Sequence, residues 1–172
     1  MPNVQPYKIF PLDENTSVFV TDNEITYFID FFSYSYMFPA KAKLGSIYTF
    51  NFYPSKEEAK ERIKTDGRIK TTILDILTGF FKENNTALVT ICDSTDSKEM
   101  YRHKLFDKWF VELEAVFVEK YDCKTIIEGT TLYNSLLIHS KHPNKQKAID
   151  YFYKMNDNEF LPLEEWFWYK NG

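Results

Sequence analysis

The feature that most constrains the fold is an apolar run that lies between two amphipathic segments. Residues Thr86–Cys92 read TALVTIC, a run rich in β-branched residues and free of charge. On either side, apolar residues recur at intervals of three and four, as in Ile69, Ile73, Ile76 and Phe80 before it and Phe106, Trp109 and Leu113 after it. A short strand between two helices is typical of the centre of a sheet. We therefore predict a buried central strand at residues 86–92.

Strand-like segments occupy the first fifty residues and return after the second helix. The early runs are short, β-branched or aromatic, and turn-forming residues separate them; they lie at 7–10, 17–20, 25–32 and 46–52. This spacing predicts an antiparallel meander with one face on the core. Two later strands are predicted at 116–121 and 132–139, and Pro143 suits the first turn of a final helix.

Two helix starts can be recognised between the meander and the central strand. Ser55 and Glu58 have the spacing of a capping box, which predicts a short charged helix ending near Lys64. Asp66 is placed to cap the longer helix that follows. The predicted order is β-β-β-β-α-α-β-α-β-β-α. We expect an α+β fold with a single mixed, largely antiparallel sheet flanked by helices, in one domain of 172 residues.

Composition excludes several classes of protein. The chain has 25 acidic and 21 basic residues, and the two kinds are interleaved, which disfavours nucleic-acid binding. Cys92 and Cys123 are too few for a disulfide scaffold, so buried free thiols are expected. No leader sequence is recognised at the N-terminus, and no segment is apolar enough to cross a bilayer. We expect a cytoplasmic protein with no membrane partner.

The strongest polar cluster follows the central strand, where ligands of open α/β sheets often bind. Asp93 and Asp96 lie there, and Arg102 projects from the apolar face of the next helix. A cation on that face needs a carboxylate partner, so a structural ion pair is the first interpretation. An anion or metal site is the second. His139 and His142 have no neighbouring cysteine or carboxylate, and we predict no metal site and no cofactor.

Residues 160–172 form an aromatic C-terminal tail that carries Trp166 and Trp168. Such residues either pack back on the domain as part of its core or anchor an interface between chains. The second interpretation predicts a homodimer.

The run 91–96, followed by Arg102, Phe106 and Trp109, resembles a family of small Bacteroidota proteins of unknown function. Asp66 and His142 fit the same pattern, and the resemblance covers about residues 60–160. It implies a family and no activity.

The order of elements is also similar to the second part of GNAT-type N-acyltransferases, whose cofactor is acetyl-CoA. That family holds pyrophosphate in a loop at the start of the helix before the central strand. Here Gly67 matches the loop and Lys64 takes its basic position, but Ile69 replaces a small residue. Tyr101 is the residue that matches the family's general acid. Independently, the free N–H groups at this helix start, beside Arg68 and Lys70, predict an anion site.

We expect first a non-catalytic binding or protein-interaction domain with an unidentified protein partner. The alternative is a degenerate GNAT-like acyl-CoA-dependent N-acyltransferase. A gap between the central strand and its neighbour, open beside Gly67, would favour the enzyme, and a sealed sheet would favour the interaction domain.

Overall fold

The computed structural model describes residues 4–55, 66–92, 99–113, 117–127 and 129–156, without the side chains of 99–102, 127 and 130. Its strands form one seven-stranded sheet in the order β1-β2-β3-β4-β5-β7-β6. The strands are β1 (Phe10–Pro11), β2 (Thr16–Val20), β3 (Thr26–Ser33), β4 (Ser46–Pro54), β5 (Thr86–Cys92), β6 (Val118–Ile127) and β7 (Thr130–His139). All neighbours are antiparallel except β4 and β5, which are parallel.

Within the described ranges, three helices pack on the sheet. They are α1 (Gly67–Phe80), α2 (Glu99–Leu113) and α3 (Lys145–Asn156). Two short 3₁₀ turns, Ser35–Met37 and Ala40–Ala42, connect β3 to β4. Asp66 caps α1, since its carboxylate accepts the Arg68 backbone N–H at 2.8 Å. No helix among the described residues has both the length and the apolar character needed to cross a membrane.

The two faces of the sheet carry separate hydrophobic clusters. The face under α1 and α2 buries residues such as Phe19, Ile73, Leu88 and Leu137. The face under α3 buries residues such as Ile47, Val89, Leu136 and Phe152. Because β5 contributes Leu88 to one cluster and Val89 to the other, it lies at the centre of the fold with both faces covered.

The α+β class and the mixed, largely antiparallel sheet are confirmed, and so is the buried central strand at Thr86–Cys92. The predicted helix at 55–64 lies outside the described residues. The strand predicted at 7–10 is wrong in extent, because β1 is Phe10–Pro11. Tyr7 instead donates its backbone N–H to Thr72 Oγ1 of α1, and its ring stacks on Phe19. The apolar residues near Tyr7 therefore indicate packing against α1 and not a strand.

The later elements also differ from the predicted bounds. β6 runs to Ile127, well past the predicted end at 121. It is an edge strand, and edge strands accept charged residues such as Asp122 and Lys124. Helix α3 begins at Lys145, so Pro143 lies just before the helix and not within its first turn.

Candidate functional site

The parallel strands β4 and β5 pair over only part of their length. Four residue pairs join them, from Ser46 with Thr86 to Thr49 with Val89. Beyond these pairs β4 continues through residues 50–54 and β5 through residues 90–92. On its other edge, β4 stays paired with β3 along seven residue pairs, up to Pro54. The two strands therefore separate, and we call the gap between 50–54 and 90–92 the split.

Helix α2 covers one side of the split with aromatic rings. The ring of Trp109 stacks on Phe52 at 5.8 Å, and Phe106 meets Phe52 at 5.9 Å and Phe50 at 6.4 Å. A cavity of about 10 Å³, the size of a single water molecule, lies beneath Phe106 and Trp109 next to Thr90 and Lys120. On this side the space above the strands is therefore occupied, among the described residues, by the aromatic side chains of α2.

The opposite side of the split carries polar groups. Thr49 is the last paired residue of β4, and its buried hydroxyl has no hydrogen-bond partner among the described residues. Asn51 is exposed and pairs across the strands with Asp30, whose side chain is buried. Tyr53 lies beside them. Burial raises the pKa of the Tyr53 phenol, as does its hydrogen bond to Asp30. A buried hydroxyl without a partner is costly, so Thr49 distinguishes this end of the paired segment.

The start of α1 lies at the end of the sheet where β4 ends. Gly67 is its first residue, and a Cβ atom at Gly67 would meet no atom of the described residues within 4 Å. The side chain of Ile69 turns inward and joins the cluster under α1 and α2. Ile69 therefore leaves the helix start accessible, although a small residue was expected to be needed there.

Carboxylates already pair with the cations at this helix start. Arg68 Nη1 lies 2.8 Å from Asp22, its guanidinium stacks on Tyr7 at 3.9 Å, and its Nε donates to the Gln5 carbonyl. Lys70 forms an ion pair with Glu112 of α2. The Asp66 carboxylate accepts both the Arg68 N–H and the Tyr7 hydroxyl. Hydrogen bonding to Asp66 and burial both raise the pKa of Tyr7, and burial is the larger cause. The anion site at Gly67, Arg68 and Lys70 stays a prediction.

Several residues singled out from the sequence cannot be placed. Lys64, Asp93 and Asp96 lie outside the described residues, as do Trp166 and Trp168. Tyr101 and Arg102 belong to the first turn of α2, but the structure describes only their backbone. The ion pair predicted between Arg102 and Asp93 or Asp96 therefore stays a prediction.

A second polar cluster, between α2 and the β6 edge, centres on Lys120. Its ammonium contacts Asp107 at 2.7 Å and also Asp122, and only 8% of the side chain is exposed. Asp122 accepts the Ser135 hydroxyl, and His103 lies 3.7 Å from Asp107. One ligand atom from each of His103, Asp107 and Asp122 falls within 4.8 Å of the others. Lys120 supplies the positive charge that these carboxylates need.

His142 lies at the other end of the β4–β5 pair, next to Gly45 and Asn85, where the two strands begin. A Cβ atom at Gly45, which precedes β4, would lie 2.6 Å from the Asn85 carbonyl oxygen and 3.6 Å from His142 Nε2. The imidazole Nδ1 accepts the Asn144 N–H, while Nε2 faces the Asn85 carbonyl without completing a hydrogen bond of good geometry. Burial lowers the pKa of His142.

Sequence reasoning did not identify Thr49, Asp30 or Lys120. Thr49 and Asp30 each occupy one position in an alternating strand, and nothing local shows that their neighbours leave a gap. Lys120 carried one available signal, because it is a charged residue within the strand predicted at 116–121.

No curated protein and no solved structure matches this chain. A family model, described as a family of unknown function (DUF6169), matches residues 65–154, which is more than half of the chain. The match falls within the range for which a family of unknown function was expected, and it includes α1, β5, α2, β6 and β7 and nearly all of α3. The chain therefore belongs to the DUF6169 family of unknown function.

Proposed function

We propose that this protein binds the pantetheine arm of an acyl-CoA in the split and acts as an acyl-CoA-dependent N-acyltransferase. The observation that carries the proposal is the early end of the β4–β5 ladder, because both strands continue as unpaired edges beyond Thr49 and Val89. The strand order, with one parallel pair at the centre, also agrees with the resemblance to GNAT-type enzymes.

The chemistry of pantetheine suits two facing strand edges. Strand edges present rows of backbone N–H and C=O groups that pair readily with another extended chain. Pantetheine is a narrow, extended chain with two amide groups, so it can pair with β4 as a short strand does. Its thioester would then lie near Thr49, whose unpartnered hydroxyl is able to donate a hydrogen bond to the carbonyl oxygen.

The open space at Gly67 and the inward position of Ile69 support phosphate binding at the start of α1. The Asp66 carboxylate opposes it, because it already takes the Arg68 N–H and adds negative charge there. We therefore expect the phosphates to contribute little. Acetyl-CoA and acetyl-pantetheine should bind within about tenfold of each other, a difference of about 1.4 kcal/mol.

The transfer step assigns roles to three side chains. The neutral amine of the acceptor attacks the thioester carbon, so that a C–N bond forms and the C–S bond breaks. Asp30, the buried carboxylate on the side away from α2, receives the proton that the nitrogen loses. Tyr101 gives a proton to the departing thiolate, and Thr49 stabilises the oxyanion.

The test is isothermal titration with acetyl-CoA, followed by an assay of released thiol with a panel of amines. Thr49→Val removes the hydroxyl without changing the shape, and it should weaken binding or turnover about tenfold. Its stability should be unchanged or higher, because a buried hydroxyl without a partner is lost. Thr86→Val, at the start of β5, is the control and should bind normally.

Gly67→Trp fills the open space at the start of α1, and Gly79→Trp, also in open space, is its matched control near the other end. Only Gly67→Trp should weaken the binding of acetyl-CoA. No heat of binding at millimolar acetyl-CoA, or binding and turnover that are both equal in wild type and Thr49→Val, would contradict the proposal.

The second candidate is a non-catalytic protein-interaction domain. It is favoured by the rings of Phe106 and Trp109, which cover the split from the side of α2. Under this alternative the split is filled by the protein's own side chains, and no variant of Thr49 or Gly67 changes any binding of acyl-CoA.

A further inference from the structure

One part of the sheet, away from α1 and α2, is apolar and lacks a helix. Registered pairs place Phe10, Val18, Phe28 and Tyr53 in one row across β1, β2, β3 and β4. Val20 lies next to this row on the same side of the sheet, and Phe32 lies on that side beyond the buried Asp30. We call these six residues the outer face. Helix α3 covers the same side of the sheet only over the other half, where it packs on β6 and β7.

The outer face is unusually exposed for its composition. Phe10 is 46% exposed, Val20 47% and Tyr53 44%. The rings of Phe28 and Tyr53 stack at 5.6 Å, so the aromatic groups form one continuous surface. A contiguous apolar surface of this kind on a soluble domain marks a place where another segment or partner binds.

The last described helix ends close to this surface. At its C-terminus, Asn156 accepts hydrogen bonds from Thr125 of β6 and Asn134 of β7. Asn134 pairs with Ile91 near the end of β5, which is the end of the sheet where Phe28 and Tyr53 also lie. Helix α3 thus delivers the chain to the same side and the same end of the sheet. Three strand spacings, or about 15 Å, together with the width of the split separate it from Phe28.

The chain continues from Asn156 with a segment of matching chemistry. Residues 157–172 include Phe160, Leu161, Leu163, Trp166, Phe167 and Trp168. Sixteen residues span up to about 50 Å when extended, which is ample for the distance. We propose that residues 157–172 bind across the outer face of the same molecule, with Trp166 and Trp168 against the row from Phe10 to Tyr53. This proposal needs no acyl-CoA, and its test is separate from that of the proposed function.

The test uses the full chain and its own tryptophan fluorescence. Two of the three tryptophans, Trp166 and Trp168, lie in this segment. The acrylamide quenching constant of the tryptophan fluorescence therefore depends mainly on how well the segment shields these two rings from solvent. Val20→Glu places a charge within the outer face, and Val111→Glu, on an exposed position of α2, is the control. Val20→Glu should raise the quenching constant about twofold because two rings become exposed, and Val111→Glu should not change it. The Trp166→Phe/Trp168→Phe double variant retains only Trp109, so it shows how much of the fluorescence comes from the tail.

Protein concentration separates the tail's own molecule from a second copy. Shielding by the same molecule does not change over about a hundredfold range of concentration, whereas shielding by a partner copy follows mass action. The proposal is overturned if Val20→Glu is quenched like wild type while circular dichroism shows both folded. It is also overturned if shielding grows with concentration together with a dimer in light scattering.

Discussion

The first and second halves of β4 meet β5 in different ways. Over Ser46–Thr49 the two strands are paired, and Ile47, Leu88 and Val89 are almost completely buried. Beyond Thr49 the strands separate, Asn51 is exposed and Tyr53 is nearly half exposed. One strand therefore serves as core at its start and offers a free backbone edge at its end.

Under the proposed function, this difference divides stability and binding between the two halves of β4. The paired half holds the two hydrophobic clusters together, since β5 contributes to both of them. The separated half is held in place from the other edge by β3, so its position does not depend on β5. An edge fixed in this way is preorganised for a ligand, because little conformational freedom remains to be lost on binding.

The largest expected effect comes from the paired half. Leu88→Ala removes a fully buried side chain from the central strand and should lower the free energy of unfolding by about 2–5 kcal/mol. Asn51→Ala, in the separated half, should change it by no more than about 0.5 kcal/mol. Urea denaturation of both variants checks the contrast, and equal losses would show that the two halves do not differ in this way.

The next effect concerns the turn into β4. Gly45 has φ +84° and its backbone closely approaches Asn85, so Gly45→Ala meets both conformational strain and a clash. We expect a loss of about 1–3 kcal/mol. Gly129→Ala is the matched control, since Gly129 has φ +78° but no atom of the described part of the chain lies within 4 Å of an added Cβ. A Gly45 variant no less stable than the Gly129 variant would mean that the close approach to Asn85 has no energetic weight.

The smallest effect is a pH dependence at the same end. Burial lowers the pKa of His142 in the folded chain, so at mildly acidic pH the unfolded chain binds more protons there than the folded chain does. Stability should therefore decrease as the pH falls from about 7 to about 5.5. His142→Gln should flatten this part of the curve, and His139→Gln should retain it. Urea midpoints measured across this range decide the matter, and a slope that survives in His142→Gln would assign it to another group.

How much of this could be predicted from the sequence depends on whether the signal is local. The run TALVTIC identified β5 as central because an uninterrupted apolar strand requires cover on both faces. Asp66 was identified as a cap because helix starts have a local residue preference. The Arg68–Asp22 ion pair joins residues 46 positions apart, and no spacing rule indicates it.

The split itself had no signal in the sequence. Residues 46–52 were predicted to form one strand, and they do, with no break where the pairing with β5 stops. Whether two parallel strands stay together depends on what packs above and below them, such as Phe106 and Trp109 of α2. Thr49 becomes a candidate site residue only because it is the last residue of β4 that pairs with β5.

Amide hydrogen exchange with and without acetyl-CoA tests the central claim most directly. Alternate amides of residues 50–53 face the split, and in the free protein they should exchange faster than the amides of Tyr48 and Thr49. Saturating acetyl-CoA should slow these same amides and leave the paired half unchanged. Binding of acetyl-CoA that leaves the exchange of residues 50–53 and 90–92 unaltered would contradict the assignment of the split as the binding site.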